Sequence, residues 1–320
     1  MQRIKVAVLR GGPEPEHEAS MKSGKNVLEN LSDKYIPTDV FVAKDKSWYV
    51  DGVSISPAKL FKNIDVVFNA MRGGYGEDGK VQQLMDHFGV KYTGSKALAS
   101  ALSLNKALAK EFFIKVGLKT PLYKIIKKDD KLDGLDRTIF KTFPMPAIIK
   151  PGGSGSSIGV SLVKVLKDIL PAIENALKYS EVVIVEEFIS GKEVTCGVID
   201  DFRTQPIYSL LPLEICKPND FEFYGYEAKK SGYHGKVCQD DFSEKEKKTI
   251  QNMAIEAHRI LGLRHYSRSD FIVNPKRGVY ILEVNALPGL TKESLFSESL
   301  DAVGCSMSYF LDHILTMAMK

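Results

Sequence analysis

Twice near its start the chain runs from a short apolar strand through glycines into a helix, and this pattern limits the fold more than any other feature. Residues 4 to 9, IKVAVL, end at Gly11-Gly12, and EHEASMKSGKNVLENL then places Ala19, Ser23, Val27, Leu28 and Leu31 at helical spacing. Residues 65 to 71, DVVFNAM, enter the loop RGGYGEDG (72–79), after which KVQQLMDHFG resumes as helix. Strand, glycine loop and helix, repeated, predict an open α/β domain of Rossmann-like type over residues 1–95. Ligands in such sheets bind at the carboxyl ends of the strands, where both glycine loops fall.

At 320 residues the chain is long for one core and suits two or three packed subdomains. Residues 95 to 116 read as helical, stopped by Gly117 and Pro121. Residues 146 to 163, PAIIKPGGSGSSIGVSLV, read as two strands around a glycine-serine loop, and DILPAIENALKY as a helix with Pro171 in its first turn. EVVIVEEFI (181–189), KEVTCGVID and TQPIYSLLPLEI are strand-like; a polar stretch over 217–242 is too long for a turn and reads as a functional loop. A helix (243–261), a hairpin (266–285) and a C-terminal helix complete the chain.

Lys and Arg number 44 against 40 Asp and Glu, so the net charge of +4 gives no basis for binding nucleic acid or an anionic membrane. The four cysteines, Cys196, Cys216, Cys238 and Cys305, contain no CxxC pair, which predicts reduced thiols rather than a zinc site or disulfide framework. The start MQRIKVAVLRGG reaches glycine too soon for a signal peptide, and no stretch approaches the roughly 20 apolar residues that span a bilayer. A soluble, cytoplasmic protein is expected.

Glu283 and Asn285 stand two apart where an apolar strand ends, before a Pro-Gly turn. In an extended chain they share one face. Centring the hairpin turn between Lys276 and Arg277 sets Asp270 opposite Glu283 and Arg268 opposite Asn285. Two facing carboxylates repel unless a cation lies between them. These hard oxygen donors favour Mg²⁺ or Mn²⁺ shared with phosphate; the alternative is an acidic sheet edge neutralised by Arg268 and nearby lysines. KPGGSGSSIG (150–159) combines Lys150 with backbone N–H groups able to form an anion nest, though a flexible hairpin loop would look similar. VEEFISGKEV (185–194) offers main-chain groups to an adenine edge and a carboxylate to a ribose, or else solvated surface glutamates.

In order, EHEAS, RGGYGEDG, YTGS, NK, IIKPGGSGSSIGVS, EEFISGKEVT, FYGYEAKK, SRSDFIV and EVNALPGLTKESL resemble the D-alanine–D-alanine ligase family of the ATP-grasp superfamily over nearly the whole chain. The resemblance implies an α/β (α+β ATP-grasp) fold: the Rossmann-like open sheet of 1–95, then two subdomains, 96–188 and 189–320, sandwiching the nucleotide. It implies ligation of two D-alanines with ATP through an acyl phosphate, for peptidoglycan precursors, by a homodimer. It implies further that Lys106, Lys150 and Lys229 contact phosphates, Glu186, Glu187, Phe188 and Ile189 hold the adenine, and Glu193 the ribose. Asp270, Glu283 and Asn285 would hold two Mg²⁺ or Mn²⁺ ions. Glu16 would bind the first D-alanine's ammonium, in a relay with Ser156. Arg268 and the Gly289 N–H would form the oxyanion pocket, and Ser294 would bind the second carboxylate.

Two positions depart from the family pattern. Arg72 stands where a histidine is usual, and Lys230 where a tyrosine completes the relay; Tyr233, three residues on, is a candidate substitute. In the family, changes at the second position accompany a hydroxy acid such as D-lactate as second substrate, so the resemblance leaves open a ligase for a D-hydroxy acid or another D-amino acid. A nucleotide-binding relative without turnover is the remaining alternative; the intact metal trio with Arg268 argues against it.

Overall fold

In the computed structural model, residues 3–13, 15–153, 155, 157–216, 237–238 and 242–320 are described. The first sheet comprises β1 (Ile4–Gly11), β2 (Tyr35–Val42), β3 (Trp48–Val50), β4 (Val53–Ser54), β5 (Val66–Asn69) and β6 (Lys91–Tyr92). Their order is β4-β3-β2-β1-β5-β6, with β1 parallel to both β2 and β5. β1 lacks polar alternation because both its faces are covered. Val6 and Val8 pack against Tyr266, Phe296 and Phe310 from the far end of the chain; Ala7 and Leu9 pack against Val40, Trp48 and Met85. Burying each of Val6, Val8 and Leu9 contributes roughly 1.5–3 kcal/mol. The chain departs to opposite sides after β1 and β5, leaving a crevice at their carboxyl ends. Gly11, at φ +97°, makes the close approach there: a Cβ would lie 2.3 Å from the Val42 carbonyl oxygen.

The second sheet is antiparallel, β7 (Tyr123–Lys127), β8 (Ala147–Pro151), β9 (Ser161–Val163) and β10 (Val182–Glu187), in the order β7-β10-β8-β9. The third contains β11 (Lys192–Phe202), β12 (Gln205–Ser209), β13 (Leu213–Ile215), β14 (Val237–Cys238), β15 (Tyr266–Asn274) and β16 (Gly278–Asn285). It runs β14-β13-β11-β15-β16, with β12 also on β11.

Three expectations are corrected. The helical stretch after residue 95 is two helices, Ala97–Leu104 and Lys106–Lys115, broken at Asn105, whose side chain caps the second by accepting from the Leu108 N–H at 3.1 Å. The C-terminal helix is likewise two, Leu295–Ala302 and Met307–Met319, the second capped by Ser306. Cys216 is disulfide-bonded, while Cys196 and Cys305 are free and buried. The loop predicted over 217–242 lies outside the described residues except at its β14 backbone and Phe242. Among the described residues no helix is long and apolar enough to cross a membrane.

Candidate active site

The β15–β16 register sets Arg268 opposite Asn285 and Asp270 opposite Glu283, as the sequence predicts. The turn itself is one step different: Asn274 pairs Gly278, and the register shifts between Asp270 and Phe271. Leu282 is the extra residue, a β-bulge of the kind that re-aims side chains beside functional sites. Val279, Ile281 and Val284 enter the core on the far face. Leu282 and Glu283 consequently both line the cavity, giving an apolar surface beside a carboxylate.

That cavity, about 410 Å³, lies where the two glycine loops, the glycine-serine loop and the hairpin meet. Every described residue assigned a site role from sequence lines it: Glu16, Lys106, Lys150, Glu186, Glu187, Phe188, Ile189, Glu193, Arg268, Asp270, Glu283, Asn285, Gly289 and Ser294. Ser156, Lys229, Lys230 and Tyr233 lie outside the described residues.

At the hairpin, the Arg268 guanidinium donates to both Asp270 oxygens, at 3.0 and 2.7 Å. Thr195, opposite Asp270 on β11, donates to the same carboxylate at 2.8 Å. Burial opposes the charge on Arg268, but Asp270 holds its pKa above the usual arginine value. Lys106 Nζ lies 3.1 Å from Glu283 Oε2. Among the described residues no three His, Cys, Asp or Glu side chains gather as a metal cluster. The trio instead offers two carboxylates and a carboxamide, a hard-oxygen set that fits Mg²⁺ or Mn²⁺ completed by phosphate oxygens.

Next to it, Glu186 is buried between two lysines, with Oε2 2.7 Å from Lys150 Nζ and 3.2 Å from Lys110 Nζ. Burial alone would raise the Glu186 pKa, yet the two ammonium groups hold it below the ordinary carboxylate value. Lys110 is fully buried, and burial lowers its pKa to about 8 against the pull of Glu186. Glu187 turns to Arg277, at 3.2 Å for Oε2, and the N–H groups of Glu187 and Phe188 donate to Leu122 and Pro146. Ile148, Ile189, Ile272 and Leu282 supply apolar walls here.

At the opposite end Glu16 precedes the helix His17–Asn30 and is nearly buried. The glycine-serine loop approaches it so closely that a Cβ on Gly155 would stand 2.9 Å from Glu16 Oε2. Arg72 Nη2 lies 3.6 Å from Glu16 Oε1, and Arg72 Nη1 3.1 Å from Glu77 Oε1. Burial, helped by Glu16, raises the Glu77 pKa to about 7 while Arg72 opposes the rise. The Ser294 hydroxyl is 2.6 Å from the Gly289 carbonyl oxygen, at the N-cap of the helix Leu295–Ala302.

Sequence reasoning missed Glu77, Lys110 and Thr195. Glu77 lies in the quoted RGGYGEDG loop, and Lys110 is one helical turn beyond Lys106, so both had a local signal. Thr195 had none, because only the β11–β15 register brings it to Asp270.

Two family models match, one described as the D-ala D-ala ligase N-terminus over residues 52–95 and the other as its C-terminus over 112–316. The D-alanine–D-alanine ligase of Geobacter sulfurreducens is 35% identical over 99% of this chain and 95% of its own length. Among solved structures, the VanG D-Ala:D-Ser ligase from Enterococcus faecalis superposes with a TM-score of 0.85 at 25% identity, covering 99% of this chain and 100% of that one. The Bacillus anthracis D-alanine–D-alanine ligase complexed with ATP gives a TM-score of 0.78 at 25% identity, over 99% of this chain and 97% of that one.

Proposed function

The chain belongs to the D-alanine–D-alanine ligase family, and from that premise we propose how its own residues divide the work. The enzyme is an ATP-dependent ligase that joins two D-alanines, and the dipeptide enters cell-wall synthesis.

A carboxylate is a poor electrophile. One oxygen of the first D-alanine's carboxylate attacks the γ-phosphorus of ATP, the bond to the β-phosphate oxygen breaks, and ADP leaves. The neutral amine of the second D-alanine then attacks the acyl phosphate carbon. The attacking nitrogen gives up a proton to the departing phosphate, the tetrahedral oxyanion collapses with cleavage of the acyl C–O bond, and the peptide bond remains. Glu16 takes the first ammonium, with Ser156 and either Lys230 or Tyr233 completing its relay. Lys106, Lys150 and Lys229 hold phosphates; Lys150 reaches them from the edge of the buried Glu186 pair. Phe188, Ile189 and neighbouring apolar walls receive the adenine, and Glu193 the ribose. Asp270, Glu283 and Asn285 would hold two Mg²⁺ or Mn²⁺ ions, which neutralise phosphate charge when bound.

Arg268 and the Gly289 N–H stabilise the oxyanion, and Ser294, at a helix N-terminus, meets the second carboxylate. The units 1–95, 96–188 and 189–320 form the three working parts, and the enzyme acts as a cytoplasmic homodimer, where ATP is supplied.

A single observation carries this assignment: the groups for ammonium, phosphate and oxyanion surround one cavity. Incubation with Mg-ATP and D-alanine should release phosphate and form the dipeptide, and Glu283→Ala should abolish release without unfolding the protein. ATP binding with no phosphate release from any D-amino or D-hydroxy acid would contradict it. A second reading, a different second substrate such as D-lactate or another D-amino acid, draws on Lys230 and on the likeness to a D-Ala:D-Ser ligase.

A further inference from the structure

Arg72 touches three separate segments of the chain. Its guanidinium lies 3.6 Å from Glu16 Oε1 and 3.1 Å from Glu77 Oε1, and Nη1 also donates to the Leu287 carbonyl oxygen. Glu77 is itself fixed, since its Oε1 accepts from the Gly73 N–H at 3.0 Å. Leu287 begins the turn that carries Gly289. One residue beyond Gly289 starts a second set of ties to the first helix: the Leu290 N–H donates to Ser23 Oγ at 3.2 Å, and Asn26 Nδ2 donates to the Leu290 carbonyl at 2.7 Å. The Gly289 turn is therefore fastened on both sides to the N-terminal unit, by Arg72 before it and by Ser23 and Asn26 after it.

We propose that Arg72 is a positioning residue that sets the distance between the grip on the first D-alanine's ammonium, Glu16, and the turn bearing the oxyanion donor, Gly289. The inference rests on the ligase reading and deepens it at the same site. An imidazole, the usual group at this position of the family pattern, has two ring nitrogens and cannot reach the Leu287 and Glu77 oxygens while also pairing ionically with Glu16 at 3.6 Å. A guanidinium has five N–H donors in one plane and can. Glu77 holds that plane in orientation. The ammonium and carboxyl ends of one small substrate are thus gripped by parts joined through a single side chain, and loosening the joint misplaces the reacting carbon.

The test compares the full-length wild type with Arg72→His, Arg72→Lys and Glu77→Gln. D-Alanine binding is measured by calorimetry on protein loaded with a non-hydrolysable ATP analogue, alongside steady-state phosphate release and thermal unfolding. Losing a buried charge-assisted hydrogen bond should weaken D-alanine binding and lower kcat each by about ten- to a hundredfold, with the KM for ATP held within about twofold. Glu77→Gln should reproduce the same split. If Arg72→His fails to fold, Arg72→Lys carries the test, because it keeps the charge but not the planar fork. Variants that keep wild-type D-alanine binding and kcat would overturn the proposal, as would a rise in the ATP KM equal to the loss of D-alanine binding. Failure of the underlying reading shows differently: wild-type protein would then release no phosphate with D-alanine, and both inferences would fall.

Discussion

At one end of the cavity an arginine, Arg72, lies between two carboxylates, Glu16 and Glu77; at the other a carboxylate, Glu186, lies between two ammonium groups, Lys110 and Lys150. Both triplets are largely withdrawn from water, so neither can lean on solvent to settle its charge. The lysine triplet carries one surplus positive charge and suits a phosphate. The arginine triplet carries one surplus negative charge once Glu77 is ionised, and suits an ammonium. Under the ligase function proposed above, this polarity would orient an amino acid and a nucleotide with carboxylate toward phosphate. Desolvation sharpens the contrast, since each surplus charge interacts more strongly in a low-dielectric site than in water. Between the ends stands the Arg268–Asp270 pair, where charge would develop during reaction.

Removing the group between the ends should have the largest effect. Arg268→Met should lower kcat by about 10²–10³ while both substrates still bind, measured by phosphate release at saturation. Substitution at the nucleotide end comes next. Lys110→Met leaves Glu186 with one buried partner and should cost on the order of 3–5 kcal/mol of stability in denaturant unfolding, with a raised KM for ATP and little change for D-alanine. An equal rise for both substrates would erase the distinction between the ends.

Smaller, and specific to the comparison, is the dependence of stability on pH. Glu77 is raised from 4.5 to about 7, so the fold binds its proton more tightly than the unfolded chain does, and this contribution is lost as pH rises through that window. Lys110 is lowered from 10.5 to about 8, so the cost of its buried charge is relieved as pH rises from 8 toward 10.5. The two ends should therefore respond in opposite senses. Glu77→Gln should flatten the first slope and Lys110→Met the second, each read from unfolding midpoints across pH. The smallest expected effect is a shift in second-substrate preference on Lys230→Tyr, read from a panel of D-amino and D-hydroxy acids.

Much of this site was legible in the sequence, for identifiable reasons. Period-two spacing placed Asp270, Glu283 and Asn285 on one face, and the hairpin register follows it. The turn was misplaced by one step, yet the spacing of Val279, Ile281 and Val284 already breaks the alternation where Leu282 bulges. Asn105 was available as a cap inside the helical stretch and ends one helix there. Pairings between distant segments were not legible: Thr195 with Asp270 and Arg72 with Leu287 both depend on which strands and turns become neighbours. The charge triplets belong to that class too, because neither Lys110 nor Glu77 announces its partner along the chain.

The central claim, that the cavity aligns a D-alanine carboxylate against the terminal phosphate of ATP, is tested most directly by isotope transfer. D-Alanine labelled with ¹⁸O in its carboxyl group is turned over with unlabelled ATP, and the released phosphate is analysed by mass. The account predicts one ¹⁸O in each inorganic phosphate, with ADP unlabelled. Unlabelled phosphate, or label recovered in AMP, would contradict it.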